Sequence, residues 1–497
     1  MSKKFSLLAL SALLAACGSE YTPPPVEPET PPPEPPAVLE PSLKYFNVCA
    51  QPRTGSPDGF LPYPDKQGTL ADEKRFLRLY HEENYLWYRE LPKLDEAAYS
   101  SAIDYFNALK TPAVTSSGAP KDRFHFTYPT AQWDAMQKGA NVGYGMYWFR
   151  NADGKVPRTW ILTYVVPGSP AALAGMQRGD QLLEVDGVSF VTASGADEVA
   201  KLNAALAPPK AGEQHTLRVL RGLQTLDFAL VSAALNVNPV LQTQVLDTPG
   251  GKVGYLVFNS HNLVAEKPLI EAFTQFRDAQ VKELVLDMRY NGGGYLSIAS
   301  ELAYMIAGPA ATTGKVFEQT LANDRLPKPA AFNFPTRSVG YSGAPRNQPL
   351  PYLALPRVVV LAGPGTCSAS ESVVNGLRGI DVQVDLIGGQ TCGKPYAFTP
   401  LPNCGTTYFS IQYQGVNHKG WGDYSEGFAP TCAASDDFGH ALGDKEEGRL
   451  ATALDFIASG TCRPSAGPVA SARMRSGSRL PDMVPARPEV TELKILR

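Results

Sequence analysis

RVVVLAGPGTCSASESVVNGLRG, residues 357–379, sets a run of β-branched and aliphatic residues before a Gly-Pro-Gly turn and a stretch with Val373, Val374 and Leu377 at helical spacing. The pattern predicts a buried strand that turns sharply into an amphipathic helix. A serine at that junction sits at a helix N-terminus, where unpaired amides and the helix dipole favour developing negative charge. Ser368 and Ser370 compete for this role. Ser370 and Glu371 also suit a helix N-terminal turn, so Ser370 reads as a helix cap.

Working outward, strands alternate with helices from about Val253 to Gly460, which argues for an α/β domain. Upstream, LVLDMRYNGGGY (284–295) reads as a buried strand ending in a three-glycine turn, whose backbone N–H groups can face an oxyanion. It lacks both the Gly-Lys-Ser/Thr of a P-loop and the GxGxxG spacing of a dinucleotide fold. Downstream, LIGGQTCGKPYAF (386–398) is again a strand into a glycine-bounded turn, now presenting Lys394. An ordinary exposed lysine has a pKa near about 10.4, so its use as a base at neutral pH costs about 4.6 kcal/mol unless burial lowers that value. The stretch from Gly308 to Pro356, rich in Pro, Gly, Asn and Thr, reads as a surface excursion of the kind that forms lids.

Together these three stretches closely resemble the catalytic core of the S41 serine peptidases, the C-terminal processing or tail-specific proteases. That family carries an Asp-x-Arg-x-Asn-x-Gly-Gly loop, a Ser-Ala-Ser-Glu turn and a Gly-Lys turn about 25 residues later; Asp287, Arg289, Asn291, Gly293 and Gly294, then Ser368 to Glu371, then Gly393-Lys394 match them. The resemblance implies a ClpP/crotonase-like α/β catalytic domain without a cofactor. It also implies Ser368 as nucleophile, Lys394 as general base, and the amides of Ala369 and of Gly293 or Gly294 as oxyanion hole, with Glu371, Asn291, Arg289 and Asp287 in support. The sequence departs from the family at Phe398, where many members have a glutamine that orients the lysine. Cys367 and Cys392 flank nucleophile and base, where a disulfide would frame the site. Ser368 is not in G-x-S-x-G, and no Ser-x-x-Lys occurs in the chain, which argues against the α/β-hydrolase and penicillin-binding-protein arrangements. His261 and His418 are read as structural or surface residues rather than triad members.

Ahead of this core, VVPGSPAALAGMQRGDQLLEVDGV (165–188) closely resembles the PDZ signature. A PDZ domain adds a peptide as a strand to an open sheet edge while backbone amides hold its terminal carboxylate. Gly143, Tyr144, Gly145 and Met146 are the corresponding loop and strand. Further upstream, residues 72–110 show apolar spacing for two amphipathic helices broken near Pro92. They read as a small helical cap or spacer, with His81 and its neighbouring glutamates on a solvated face.

The first twenty residues combine two lysines, a short apolar stretch and small residues before Cys17, as in a secretory signal peptide. Leu14-Ala15-Ala16-Cys17 resembles the bacterial lipobox, which implies lipidation at Cys17. The Pro/Glu-rich segment after it favours an extended spacer. Gly18 points to the outer rather than the inner membrane, the body facing the periplasm. Six further cysteines, Cys49, Cys367, Cys392, Cys404, Cys432 and Cys462, suit disulfides in an exported chain, with fifteen pairings open. None forms C-x-x-C, so zinc has little support. A net charge of −3, from 48 acidic and 45 basic residues, gives no reason to invoke nucleic acid.

The expected organisation is signal peptide 1–16, Pro-rich linker 17–45, helical domain 46–140, mainly-β PDZ domain 141–235, catalytic domain 236–462 and a structureless tail from 463 to 497. The expected function is a lipid-anchored serine endopeptidase that engages protein or peptide substrates by their C-termini. The competing readings are a catalytically silent PDZ scaffold, which Phe398 favours, and crotonase-like acyl transfer.

Overall fold

A computed structural model describes residues 40–56, 61–137, 140–151, 155–463, 483–485 and 493–495. The expected signal peptide, Cys17 and most of the Pro-rich linker lie outside these residues. Among the described residues no helix is long and apolar enough to cross a membrane.

The alternating strands of the catalytic region assemble into a six-stranded sheet. Side by side run Val240–Thr248, Gly251–Phe258, Glu283–Asp287, Arg357–Ala362, Gln383–Gly388 and Cys432–Ala433, with the first pair antiparallel and every later pair parallel. Strand Val240–Thr248, which the sequence pattern did not reveal, precedes a Pro249-Gly250 turn and closes the edge as a hairpin. Alternation along Arg357–Ala362 explains its unbroken apolar run. Val358 and Val360 face a core shared with the helices Glu266–Asp278, Leu296–Thr312 and Ala369–Gly379, while Val359 and Leu361 face Leu450, Ala453 and Phe456 of the helix Gly448–Ser459. A parallel strand covered on both faces has no polar side to show.

The PDZ region forms its own sheet in the order Gln224–Val231, Gln214–Arg221, Gln181–Val185, Trp160–Val165 and Met146–Asn151. Leu162, Leu182, Leu217 and Val219 pack there against Leu202 and Ala205 of the helix Ala196–Leu206. Strands Ala140–Gly143 and Ala233–Asn236 pair antiparallel where the chain enters and leaves this region.

The helical region, expected as a cap or spacer, is tied into the catalytic region. Helix Leu70–Asn84 starts on a Thr69/Asp72 capping box, strand Phe126–Pro129 pairs with Thr406–Phe409, and Cys49 is disulfide-bonded to Cys404. The solvated face expected around His81 is also corrected. His81 is fully buried, its Nδ1 lies 2.7 Å from the Leu77 carbonyl, and burial lowers its pKa to about 3. Its ring packs edge-on against Phe106, so the helix turns this residue toward the core.

The surface excursion is held down by two acids. Gly340 and Tyr341 donate their backbone N–H groups to Glu266, and Val339 donates to Glu301 at 3.2 Å. Both carboxyls are buried. Burial, reinforced by the neighbouring Glu266 charge, pushes Glu301 up to about 9. The folded chain then keeps a proton that an ordinary glutamate has lost, so stability falls as pH rises from the normal glutamate range to about 9. Glu301→Gln keeps the shape without the proton. Its unfolding free energy, measured by urea titration at pH 5 to 9, should decline less with pH than that of the wild type.

Candidate active site

Ser368 stands at the end of the turn that follows Arg357–Ala362, immediately before the helix Ala369–Gly379. Its backbone has φ 59° and ψ −116°, a region that a residue with a Cβ rarely enters. Strain of this kind at a strand-to-helix corner aims a side chain away from the helix it precedes. Ser368 is fully buried and its Oγ has no hydrogen-bond partner. Ser370, expected as the helix cap, is instead inside the first turn, and its Oγ donates to the Asn291 carbonyl at 2.9 Å. The N-cap position belongs to Ser368. The two serines are thus divided by geometry: one hydroxyl is engaged in structure and the other is not.

Glu371 organises the site. One of its oxygens accepts from the backbone N–H of Ser368 at 2.9 Å and of Lys394 at 2.8 Å; the other accepts from Gly393 N–H at 2.8 Å and Thr391 Oγ1 at 2.6 Å. The serine turn and the lysine turn therefore converge on one buried carboxylate. A disulfide between Cys367 and Cys392 joins the same turns covalently. Burial pushes the Glu371 carboxyl upward, against the pull of these hydrogen bonds.

Lys394 is fully buried, and its Nζ lies 4.4 Å from the Phe398 ring centroid and 5.1 Å from that of Phe124. Burial disfavours an ammonium, and the two ring faces soften the penalty without donating or accepting a proton. Phe398 thus flanks the lysine from the position where the family pattern often has glutamine. Arg123 braces this turn by donating to the Cys392 carbonyl at 2.8 Å and the Ser425 carbonyl at 3.0 Å. Sequence reasoning missed Phe124 and Arg123, which lie about 270 positions from Lys394 and carry no motif.

The three-glycine loop lies alongside. Asn291 Nδ2 donates to the Phe258 carbonyl at 2.9 Å, and the Asn291 carbonyl accepts from Cys367 N–H at 3.1 Å, tying this loop to the nucleophile turn. Of the two candidate oxyanion glycines, Gly293 is engaged: its N–H donates to Asn291 Oδ1 at 2.9 Å. That leaves Gly294 beside Ala369. Gly294 has φ 141°, and a Cβ there would come within 2.5 Å of the His261 carbonyl oxygen, so only glycine fits. His261 is buried, bonds to Asn291 Oδ1 at 3.1 Å, and is held neutral by burial with a pKa lowered to about 3, as suits a structural residue.

Asp287 and Arg289 act one layer out. Arg289 bonds to Asp287 at 2.9 Å, to Glu447 at 2.6 and 2.9 Å, and to Asp436 at 2.9 Å. Arg178 of the PDZ region reaches the same Asp436 at 2.6 Å and the Tyr290 hydroxyl at 2.7 Å. Burial opposes ionisation of Asp436, but Arg449, Arg178 and Arg289 outweigh it and hold the carboxyl far below the usual range.

On the PDZ sheet, Gly143–Met146 forms the turn between two strands. Val166 N–H donates to the Gly145 carbonyl at 2.8 Å, Ala171 N–H to the Tyr144 carbonyl at 3.0 Å, and the buried Tyr144 hydroxyl to the Ala205 carbonyl at 3.2 Å. A Cβ on Gly145 would meet Ser169 at 2.3 Å, which makes this glycine a requirement of close packing. Among the described residues, the sulfur-containing clusters that could hold a metal use Cys49 with Cys404 and Cys367 with Cys392. Both pairs are disulfides and offer no thiolate.

Comparison with known proteins finds matches for three stretches of the chain. Residues 252–420 match Peptidase family S41, residues 161–221 match a PDZ domain, and residues 72–127 match the Peptidase S41 N-terminal domain. The chain thus carries an S41 peptidase domain, joined in one multidomain α/β fold to a PDZ domain and an S41 N-terminal domain. It is similar to the carboxyl-terminal-processing protease of Synechocystis sp., 28% identical over 48% of this chain and 50% of the relative. It is also similar to the chloroplastic carboxyl-terminal-processing peptidase 2 of Arabidopsis thaliana, 27% identical over 54% of this chain and 51% of that one. The chain thus spans about half the length of the curated relatives it matches. A putative S41 protease from Bacteroides fragilis shares the fold, with TM-score 0.58, 23% identity, and coverage of 80% of this chain and 98% of that one.

Glu371→Gln sets an amide NH2 among groups that are themselves donors. It should lower the unfolding free energy by about 3 kcal/mol, the scale for leaving buried donors unmatched. Chemical denaturation followed by tryptophan fluorescence checks this.

Proposed function

We propose that the chain is a serine endopeptidase of the C-terminal processing type, with Ser368 as nucleophile and Lys394 as general base. The observation that carries this reading is the Glu371 carboxylate, which receives the backbone of both residues on one oxygen while leaving Ser368 Oγ without a partner. Neutral Lys394 takes the Ser368 proton as Oγ adds to a substrate carbonyl. The amides of Ala369 and Gly294 stabilise the oxyanion, an acyl-enzyme forms, and water resolves it. Asn291 and Asp287 with Arg289 hold the oxyanion loop in place. The packing of Lys394 against Phe398 and Phe124 supports a held lysine despite the departure from glutamine, and so the catalytic over the silent reading.

In this reading the PDZ region selects substrates, with Gly143–Met146 and the edge strand Met146–Asn151 receiving the C-terminal residues of a protein. The disulfides Cys49–Cys404, Cys367–Cys392 and Cys432–Cys462 suit an oxidising compartment. A lipid anchor on Cys17, with the body facing the periplasm from the outer membrane, extends that placement.

Cleavage of an unstructured protein such as casein, followed by gel and mass spectrometry, tests the chemistry. Ser368→Ala and Lys394→Ala should each lower kcat/KM by at least about 10³-fold. Ser370→Ala should retain most activity and lose mainly stability. Full activity in Lys394→Ala would sink the dyad.

A further inference from the structure

The segment expected to lack structure, beyond Cys462, contributes two strands. Met483–Pro485 pairs antiparallel with Phe149–Asn151, adding a strand to the open edge of the PDZ sheet. Leu493–Ile495 pairs parallel with Gly293–Tyr295, the oxyanion loop itself. It also lies against the helix Ala369–Gly379, which Ser368 precedes, and strand Tyr396–Ala397, which follows Lys394. Two stretches of the chain's own tail thus pair with the edge where a PDZ ligand adds and with the loop that carries Gly294.

The register singles out one peptide bond. His261 donates its N–H to the Gly293 carbonyl, and its carbonyl accepts from Tyr295 N–H, so Gly293 and Tyr295 use their backbone on the His261 side. In a strand, successive residues turn their backbone groups to opposite sides. Gly294 therefore presents its N–H to the side on which Leu493–Ile495 runs. With Gly294 opposite Lys494 in a parallel ladder, that N–H points at the carbonyl of Leu493. This carbonyl meets the glycine amide that remains for an oxyanion once Gly293 is engaged by Asn291.

We propose that the chain is its own substrate and cuts the Leu493–Lys494 bond. Self-cleavage requires the Ser368–Lys394 chemistry proposed above. Ser368 Oγ passes its proton to Lys394 and adds to the Leu493 carbonyl. The Leu493–Lys494 C–N bond then breaks, and the proton passes to the departing Lys494 amine. Water hydrolyses the Leu493 ester, giving a carboxylate at Leu493 and restoring the Ser368 hydroxyl. Until this happens, the tail competes with other substrates for both the PDZ edge and the Gly294 loop.

The test is intact-mass spectrometry of the purified full chain during incubation, with casein cleavage assayed on the same samples. Wild type should lose the residues from Lys494 onward, while Ser368→Ala and Lys394→Ala, each checked for native circular dichroism, keep them. Lys494→Pro, which removes a strand N–H and places proline after the scissile carbonyl, should block the loss at least tenfold while casein is still cut. If wild type digests casein but keeps its tail, self-cleavage is wrong and the peptidase reading stands. Loss of the same residues from Ser368→Ala would assign the trimming to another protease and likewise overturn self-cleavage. If neither casein nor the tail is cut, both readings fall.

Discussion

The Glu371 carboxylate is the interaction on which the site depends. It extends from the first turn of the helix that Ser368 precedes and gathers donors from two turns separated by more than twenty residues of sequence. Buried N–H groups must find acceptors, and one ionised carboxylate can satisfy several at short distance. Because Ser368 and Lys394 donate to the same oxygen, a shift of either backbone breaks a bond to the group that holds the other. The Cys367–Cys392 disulfide repeats this constraint covalently, so the nucleophile and lysine turns are tied twice. The strained backbone of Ser368 persists only because these ties determine it from several directions.

A second buried network links this site to the PDZ region. Arg289, next to the oxyanion loop, and Arg178, from the PDZ signature, share Asp436, while Glu447 takes the other side of Arg289 bidentately. Paired charges in a dry interior contribute little net stability compared with apolar packing. Removing one partner is costly, because it strands the rest. Such a network therefore fixes relative placement more than it adds strength. Tyr290 belongs to both sides, donating to Asp436 while accepting from Arg178, and it sits one residue before Asn291. Tyr290 thus joins the PDZ region by hydrogen bonds to the loop that carries Gly294.

At Phe398 the lysine environment departs from the S41 pattern. With Phe398 in place, Lys394 packs between Phe398 and Phe124. Phe124 comes from the helical region, whose strand Phe126–Pro129 is paired into the catalytic region. The helical region accordingly supplies part of the wall around Lys394, and the Cys49–Cys404 bridge ties it to the catalytic region. The reading of residues 72–110 as a cap or spacer did not include this contact, because periodicity reports which face is apolar and not what that face meets.

Local order carried most of the architecture. The alternation of strands and helices, the glycine-bounded turns and the strand-to-helix corner at Ser368 are properties of short windows, and backbone preference with apolar spacing suffices to place them. The residues proposed for the chemistry were legible for the same reason, since Ser368, Lys394 and the glycine loop each follow a buried strand. Which of two serines has an unengaged hydroxyl, which glycine amide remains available, how six cysteines pair and what surrounds Lys394 were decided by contacts between distant segments. Asn291 takes Gly293, the Asn291 carbonyl takes Ser370, and the tail pairs with Gly293–Tyr295 only because the fold brings these backbones within hydrogen-bond reach. Sequence spacing encodes what a segment can become, and tertiary structure selects which of its donors and acceptors are already used.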